Sequence, residues 1–368
     1  MKQRDPLRKI SELSAASSIL AIAIGLATGL LVLLISNPAR GFAGFGAILT
    51  GGFSDGKSMG QVLYFSTPII MTGLSVGFAA KTGLFNIGGA GQFIVGAYAA
   101  VLVGVKGAAL PGPLPWLLAL LAAAASGAAW GSVPGLLKAF RNVNVVISCI
   151  MTNYIGMYLV NYLIAGSSIY DVRYNQTVRI PEVSYIPKAG LDALFRTGNS
   201  ASSANAGILI AIAAAAVVYV VLEKTTFGFE LKACGYNPEA ALYAGINEKR
   251  GVIASMAIAG ALAGIGGGLL YLAGSGKGID VVDALAIEGF NGIPVALLGL
   301  NNPIGIIFSG LFVAYLTVGG FNMQLYGVAP QVIEIIVSVI IYFSALALLM
   351  KAFLSRLGKR KRRRGGEG

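Results

Sequence analysis

The chain has 368 residues, of which 56% are hydrophobic and 11% charged, and its 27 Lys and Arg outnumber 15 Asp and Glu. Soluble domains carry about 25% charged residues, so a membrane protein with several spans is expected rather than a soluble core. The chain has no histidine. This excludes Ser–His triads, HExxH sites and most zinc chemistry, so catalysis by this chain is not expected.

Long apolar runs predict an all-α fold with about ten transmembrane helices, because a span needs about 20 apolar residues. An even number of spans places both termini on one side of the membrane. A cytoplasmic tail at 1–14 and a basic cytoplasmic tail at 351–368 then flank a permeation domain at 15–350. The predicted spans lie near 15–35, 60–80, 85–105, 114–137, 144–165, 206–222, 251–273, 284–300, 303–320 and 328–350, of which 284–300 can be partial.

The distribution of basic residues predicts the orientation of these spans. With the N-terminus inside, 19 of the 27 Lys and Arg fall in cytoplasmic segments, as the positive-inside rule expects. The basic run Lys359–Arg364 directly follows the last predicted span. It is therefore expected to meet anionic membrane lipids, and no nucleic acid is expected as a partner.

An early glycine-rich stretch matches a nucleotide-binding motif in sequence. Gly51–Ser58 matches the P-loop pattern of glycine, four residues and Gly-Lys-Ser. That pattern holds phosphate only between a buried strand and a helix, whereas this stretch lies on the predicted outer side beside a span. Nucleotide binding is therefore not expected here.

Polar amides interrupt the apolar run that follows. Asn86 and Gln92 lie among glycines in the stretch Gly83–Ala97. An unpaired polar group costs several kcal/mol in a membrane, so these amides either face a water-filled solute path or bond to neighbouring helices. Asn153 and Asn161 lie eight residues apart on one face of the span 144–165 and leave the same two alternatives. An outer loop at about 166–205 follows.

The cytoplasmic loop at about 223–250 contains a predicted short helix. Asparagine can cap its start, proline suits its first position, glutamate complements its dipole, and glycine ends it after about two turns. Its apolar edge suits a partner's groove, although packing on its own chain is an equal alternative. The residues assigned to this helix and its edge are Asn237, Pro238, Glu239, Leu242, Tyr243, Gly245 and Ile246.

The last third of the chain adds three further features. Gly260, Gly264 and Gly268 recur every four residues and predict a close helix-packing face. Pro294 interrupts the span at 284–300, so Asn291 beside it is a second candidate for the solute path, unless the kink serves packing alone. Glu334 lies inside the last span and is a candidate for ion or proton coupling.

Three of these stretches resemble the permease subunits of ABC importers. The segment Phe227–Ile246 resembles their cytoplasmic coupling loop, and Gly83–Ala97 and Ile287–Gly299 resemble their glycine-rich membrane segments. The similarity is closest to the branched-chain amino acid, simple sugar and nucleoside permeases and runs from about residue 61 to 349. Relatives often carry glutamate where Ala90 stands and alanine where Pro294 stands, which removes any role of a carboxylate at residue 90.

The resemblance implies a function and a set of partners. The chain would be a multi-pass permease of the bacterial plasma membrane that imports a nucleoside or simple sugar by alternating access. A separate ATP-binding subunit would hold ATP and magnesium, so this chain would need no cofactor. A second, different permease subunit and an extracytoplasmic substrate-binding protein or lipoprotein would complete the importer. The solute path would pass near Asn86, Gln92, Asn153 and Asn291. The alternatives are an ion-gradient-driven secondary transporter that acts without an ATPase and, less favoured, a membrane-embedded enzyme.

Overall fold

A computed structural model describes residues 6–345, and these form two compact units. One unit contains residues 6–54 and 315–345, and the other contains residues 55–314. The helices are α1 Pro6–Ser36, α2 Gly41–Thr50, α3 Gly56–Lys81, α4 Gly89–Lys106, α5 Leu114–Arg141, α6 Val145–Ala165, α7 Leu191–Leu194, α8 Gly207–Lys224, α9 Thr226–Tyr236, α10 Pro238–Tyr243, α11 Glu248–Tyr271, α12 Ile287–Phe290, α13 Gly292–Leu298, α14 Pro303–Met323 and α15 Pro330–Ala345. A short antiparallel pair, β1 Tyr170–Asp171 and β2 Gln176–Thr177, lies in the predicted outer loop.

Within residues 6–345, seven helical segments are long and apolar enough to cross a membrane. They coincide with seven of the predicted spans and run over Gly56–Lys81, Gly89–Ala109, Leu114–Arg141, Val145–Ala165, Gly207–Lys224, Glu248–Tyr271 and Pro303–Tyr326. The predicted first and last spans extend into residues whose side chains lie outside the described part. The structure thus confirms a helical membrane protein, and the count of ten spans with cytoplasmic termini stays a prediction. The basic tail at 351–368 also lies outside the described residues.

The P-loop-like stretch forms a turn at residues 51–53, which belong to the first unit, and Gly56–Ser58 already begin α3 of the second unit. Gly51–Phe53 is a single 3-10 turn that follows helix α2. Gly51 packs closely on Asn322, because a Cβ at Gly51 would lie 2.7 Å from its Nδ2 atom. The Asn322 amide also donates a hydrogen bond to the Gly51 carbonyl (3.2 Å). A side chain thus lies against the glycines of this stretch.

Helix α11 forms the centre of the second unit and packs on α3, α4 and α5. The glycine face predicted on it is confirmed, because Gly260 contacts the backbone of Gly127 and Gly131 on α5. Gly264 contacts α5 as well and also meets Gly96 on α4. Such glycines let helix backbones approach closely in a membrane, where packing rather than the hydrophobic effect drives association.

Two segments that are distant in sequence bond to one another beside the end of α11. Thr177 and Ile279 exchange two hydrogen bonds, from the Thr177 amide to the Ile279 carbonyl (3.0 Å) and from the Ile279 amide to Thr177 Oγ1 (2.9 Å). The Asn175 side chain donates to the Val281 carbonyl (2.8 Å). These contacts fix residues 272–286, which lead into α12.

The predicted span at 284–300 is a pair of short helices. α12 has 4 residues and α13 has 7, with Asn291 between them. At 1.5 Å rise per residue, the twelve residues from Ile287 to Leu298 reach about 18 Å, which is too short for a full span. Leu300 and Asn301 then adopt positive φ values (56° and 54°) in the turn that leads to α14.

Candidate functional site

The first part of the site is the irregular segment 82–88, which joins α3 to α4. Helix α3 ends at Lys81, and Gly83 adopts a φ of +78°, a left-handed conformation that favours glycine. Thr82 is buried and its hydroxyl bonds to Ser255 on α11. The segment therefore starts from a fixed point, and its residues 84–87 return towards the bundle in a non-helical conformation.

Three of the predicted path residues meet beside this segment and form a buried amide cluster of Asn86, Gln92 and Asn153. Asn86 Nδ2 donates to Gln92 Oε1 (2.8 Å) and to Ser75 Oγ on α3 (3.1 Å). Gln92 Nε2 donates back to Asn86 Oδ1 (3.1 Å). Asn86 Oδ1 also accepts from the Gly88 amide (3.0 Å). This reciprocal pairing joins the irregular segment to both flanking helices.

The third member of the amide cluster joins α6 to the same place. Asn153 Oδ1 accepts from the Gly91 amide (2.8 Å), and its Nδ2 donates to the Ile87 carbonyl (3.0 Å). Asn86, Gln92 and Asn153 are 0%, 1% and 1% exposed. Their amide groups bond within the protein here, as the packing alternative predicts, and contact of these residues with solute stays a prediction.

The fourth predicted path residue, Asn291, has different surroundings. It lies at the break between α12 and α13, is half-buried, and its side chain makes no hydrogen bond to any residue that the structure describes. Asn291 is therefore the member of the predicted set whose amide is available to a ligand.

Two glycine contacts hold this break against the neighbouring helices. A Cβ at Gly289 would lie 2.6 Å from the Ala90 amide nitrogen, so α12 touches the first turn of α4. A Cβ at Gly292 would lie 2.8 Å from the Gly73 amide nitrogen, so α13 touches the middle of α3. The first turn of α4 also carries Gln92. The amide cluster therefore stabilises the first turn of α4, which α12 contacts.

The predicted helix in the cytoplasmic loop is confirmed as α10. Asn237 Oδ1 accepts a hydrogen bond from the Ala240 amide (3.0 Å), and Pro238 is the first helical residue. Gly245 follows the helix with a φ of +80°. These are local signals, and each residue occupies the position that its capping preference predicts.

The apolar edge of α10 differs in part from the prediction. Leu242 and Tyr243 are 69% and 94% exposed, and Tyr236 beside them is 87% exposed. Ile246 is half-buried, and its amide donates a hydrogen bond to the Ala241 carbonyl (3.0 Å). Ile246 therefore helps to hold the end of α10 and is less exposed than Leu242 and Tyr243. Tyr236, Leu242 and Tyr243 form an exposed surface, which is called the docking edge below.

Helix α9 anchors the docking edge to the bundle. Leu231 and Cys234 are buried, and their side chains lie 3.5 and 3.6 Å from the Cβ position of Gly251 at the start of α11. Burial raises the pKa of the Cys234 thiol, and the nearby carboxylates Glu248 and Glu230 raise it further. Lys232 forms an ion pair with Glu223 (3.1 Å).

A direct contact joins this anchored loop to the irregular segment. A Cβ at Gly235 would lie 2.6 Å from the Gly83 amide nitrogen, and one at Gly83 would lie 2.8 Å from the Gly235 carbonyl oxygen. The two backbones therefore touch without an intervening side chain. Gly235 is two residues from Asn237, and Gly83 is three residues from Asn86. The contact was not predicted from the sequence, because only the fold brings these glycines together.

Comparison with known families identifies the family of this chain. A family model described as the branched-chain amino acid transport system permease component matches residues 58–346. The chain belongs to this family. It is 37% identical over 347 residues to the guanosine ABC transporter permease protein NupP of Bacillus subtilis, covering 93% of this chain and 96% of that protein. It is 33% identical to the nucleoside permease NupB of Lactococcus lactis, covering 92% of both chains.

A sugar permease is also similar. The glucose ABC transporter permease protein TsgB13 of Haloferax volcanii is 32% identical over 371 residues, covering 99% of this chain and 96% of that protein. The search of solved structures found no match. The nucleoside or simple-sugar permease resemblance is thus confirmed. The chain is a multi-pass transport subunit of the bacterial plasma membrane, and its family implies ATP-binding and substrate-binding partners. An ion-gradient-driven carrier centred on Glu334 is not favoured.

Proposed function

We propose that this chain forms the translocation path of an ATP-driven importer for a neutral polar solute, a nucleoside or a simple sugar. The observation that supports this most strongly is the similarity to a guanosine permease over 93% of the chain. The low charge of the spans agrees with a neutral solute, because an ionic solute would need an opposite charge or helix termini within the membrane.

The solute path is proposed to pass the break between α12 and α13. Asn291 offers an amide without a partner among the described residues at this break, and broken membrane helices commonly line solute sites. Asn86, Gln92 and Asn153 contribute by fixing the turn of α4 on which α12 rests. A movement of this turn then changes the position of Asn291.

The docking edge on α10 is proposed to bind the ATP-binding subunit, which holds ATP and magnesium. Leu242 and Tyr243 are exposed on the capped helix α10 and Tyr236 at the end of α9, and such apolar side chains are the kind of anchor that a groove on a partner receives. The Gly235–Gly83 contact then passes a push on α10 to segment 82–88 and its amide cluster. The transport cycle is alternating access, and a second, different permease chain completes the path.

Uptake by reconstituted vesicles tests this proposal. The chain is purified with an ATP-binding subunit, a second permease subunit and a substrate-binding protein, and uptake of radiolabelled guanosine, adenosine, uridine and glucose is measured. We expect uptake of a nucleoside or glucose only with ATP inside the compartment that corresponds to the cytoplasm. Uptake by the purified chain alone, driven by an imposed proton or sodium gradient, would overturn the proposal in favour of a secondary transporter.

A further inference from the structure

A second group of polar side chains lies beside the broken helix and plays no part in the contacts described above. Tyr64 on α3 is 7% exposed, and its buried hydroxyl lies near the Ser275 side chain without a hydrogen bond of standard geometry to any described residue. It packs with Phe93 and Leu270 in an apolar cluster that also touches Tyr271 and Ala286. Ala286 immediately precedes α12, so this cluster borders the start of the broken helix.

A carboxylate lies near the same tyrosines. Glu288 on α12 follows two residues after Ala286, which packs against the cluster of Tyr64 and Tyr271, and it acts on both tyrosines electrostatically. Glu288 is half-buried and has no ion pair or side-chain hydrogen bond within the part of the chain that the structure describes. A carboxylate removed from water is costly unless it is paired or hydrogen-bonded, so it favours a ligand that supplies donors.

Asn291, at the break between α12 and α13, lies on the same side of α12 as Glu288. Glu288 and Asn291 are three residues apart on one helical turn and therefore share a face. The Tyr271 hydroxyl, like the Asn291 amide, makes no hydrogen bond to the residues that the structure describes. Tyr64 lies in the first third of α3 and Tyr271 ends α11, and the charge distribution assigns both positions to the outer half of the membrane.

We propose that Tyr64, Tyr271 and Glu288 form a recognition subsite for the base of a neutral nucleoside, next to Asn291. The inference rests on the proposed import function and specifies its solute class. The half-buried Tyr271 ring offers apolar surface to a flat base, and the buried Tyr64 packs in the cluster that supports it, as in the apolar lining of a small-molecule site. The carboxylate accepts hydrogen bonds only, so it selects a base edge with N–H donors, such as the paired donors of guanine.

The same charge predicts what the subsite excludes. Asp280 lies near Tyr271, and Asp283 is exposed on the same segment, so two further carboxylates lie on the approach to Glu288. A nucleoside monophosphate would bring its phosphate towards these groups, and like charges oppose binding in a low-dielectric site. The subsite therefore binds nucleosides in preference to their phosphates.

Transport kinetics of the complete importer test the inference. In Glu288→Gln the carboxylate becomes an amide of similar shape, and we expect the KM for guanosine to rise about tenfold because a charge-assisted hydrogen bond is lost. Tyr271→Phe keeps the ring, and we expect an increase of about threefold. Glu182→Gln and Tyr174→Phe make the same changes at exposed outer-loop positions and serve as controls with unchanged KM. Glu288→Asp keeps the charge and should recover part of the affinity.

The outcomes separate the two proposals. A rise in KM for guanosine in Glu288→Gln, at unchanged membrane abundance and with the controls at wild-type values, supports the subsite. ATP-dependent nucleoside uptake with the same KM in wild type, Glu288→Gln and Tyr271→Phe overturns the subsite and leaves the importer function intact. A wild-type importer that takes up glucose and no nucleoside also overturns the subsite. A wild-type complex without any ATP-dependent uptake refutes the proposed function.

Discussion

The contact between Gly235 and Gly83 gives the sharpest test of how motion reaches the membrane. In Gly235→Ala the new Cβ would lie 2.5 Å from the Thr82 carbonyl carbon and 2.6 Å from the Gly83 amide nitrogen. Both neighbours are backbone atoms that cannot rotate away. Since carbon atoms pack at about 3.5 Å, α9 and segment 82–88 must separate by about 1 Å. Overpacking of this kind costs about 1–3 kcal/mol.

The substitution weakens the contact between α9 and segment 82–88, and it leaves the docking edge unchanged. We therefore expect Gly235→Ala to bind the ATP-binding subunit and to support ATP hydrolysis, while solute imported per ATP hydrolysed falls about tenfold, since about 1.4 kcal/mol corresponds to a factor of ten. Both rates are measured on the same vesicles. Gly46→Ala is the matched control, because it also adds a methyl group to a helical glycine but has no atom within 4 Å of the new Cβ.

Two results would refute this reasoning. A wild-type ratio of uptake to hydrolysis in Gly235→Ala would mean that the contact does not transmit the motion. A loss of coupling of the same size in Gly46→Ala would mean that any added methyl group disturbs transport.

Three other substitutions or reactions test separate parts of the structure. Asn86→Ala leaves the buried Gly88 amide and Gln92 without partners, so the free energy of unfolding should fall by about 2–4 kcal/mol, seen as a lower Tm in detergent. Gly292→Ala places a Cβ 2.8 Å from the Gly73 amide nitrogen, displaces α13, and should reduce uptake while ATP hydrolysis continues. The raised pKa of Cys234 lowers its thiolate fraction at any given pH, so its reaction with maleimide should be slow at neutral pH and accelerate only above the usual thiol range.

Each of these tests has its own control. Asn199→Ala in the exposed outer loop should leave Tm unchanged, and an equal Tm for Asn86→Ala would contradict the role of the amide cluster. If Gly292→Ala takes up solute as fast as Gly46→Ala, then α13 does not pack tightly on α3. Equal maleimide rates for Cys234 in the native and the denatured chain would contradict its burial.

The features that the sequence predicted well are determined by residues that are close to one another in the sequence. The cap at Asn237, the start at Pro238 and the stop at Gly245 each act within one helical turn, so their residue types suffice to place α10. The apolar runs predicted seven helices for the same reason, since the length of a run and its flanking charges are visible without the fold.

The features that the sequence did not predict depend on distant residues. Asn86 and Gln92 were recognised as polar groups in an apolar run, but their mutual pairing depends on the irregular segment that turns α4 back on α3. Nothing local distinguishes Gly235 from the other glycines, and its importance comes from Gly83 on another helix. Glu288 had one usable signal, a charge inside a predicted span, whereas its tyrosine neighbours become visible only once α3, α11 and α12 are packed together.

The most direct test of the central claim is a crosslink from α10 to the ATP-binding subunit. Tyr243→Cys places a thiol at a position that is 94% exposed, while both native cysteines are buried and serve as an unreactive background. We expect Tyr243→Cys to crosslink to the ATP-binding subunit in the assembled complex, with a yield that changes between ATP-bound and nucleotide-free states. Tyr174→Cys in the outer loop should give no such crosslink. Labelling of Tyr243→Cys by an impermeant maleimide from outside intact cells, without any crosslink to the ATPase, would contradict the account.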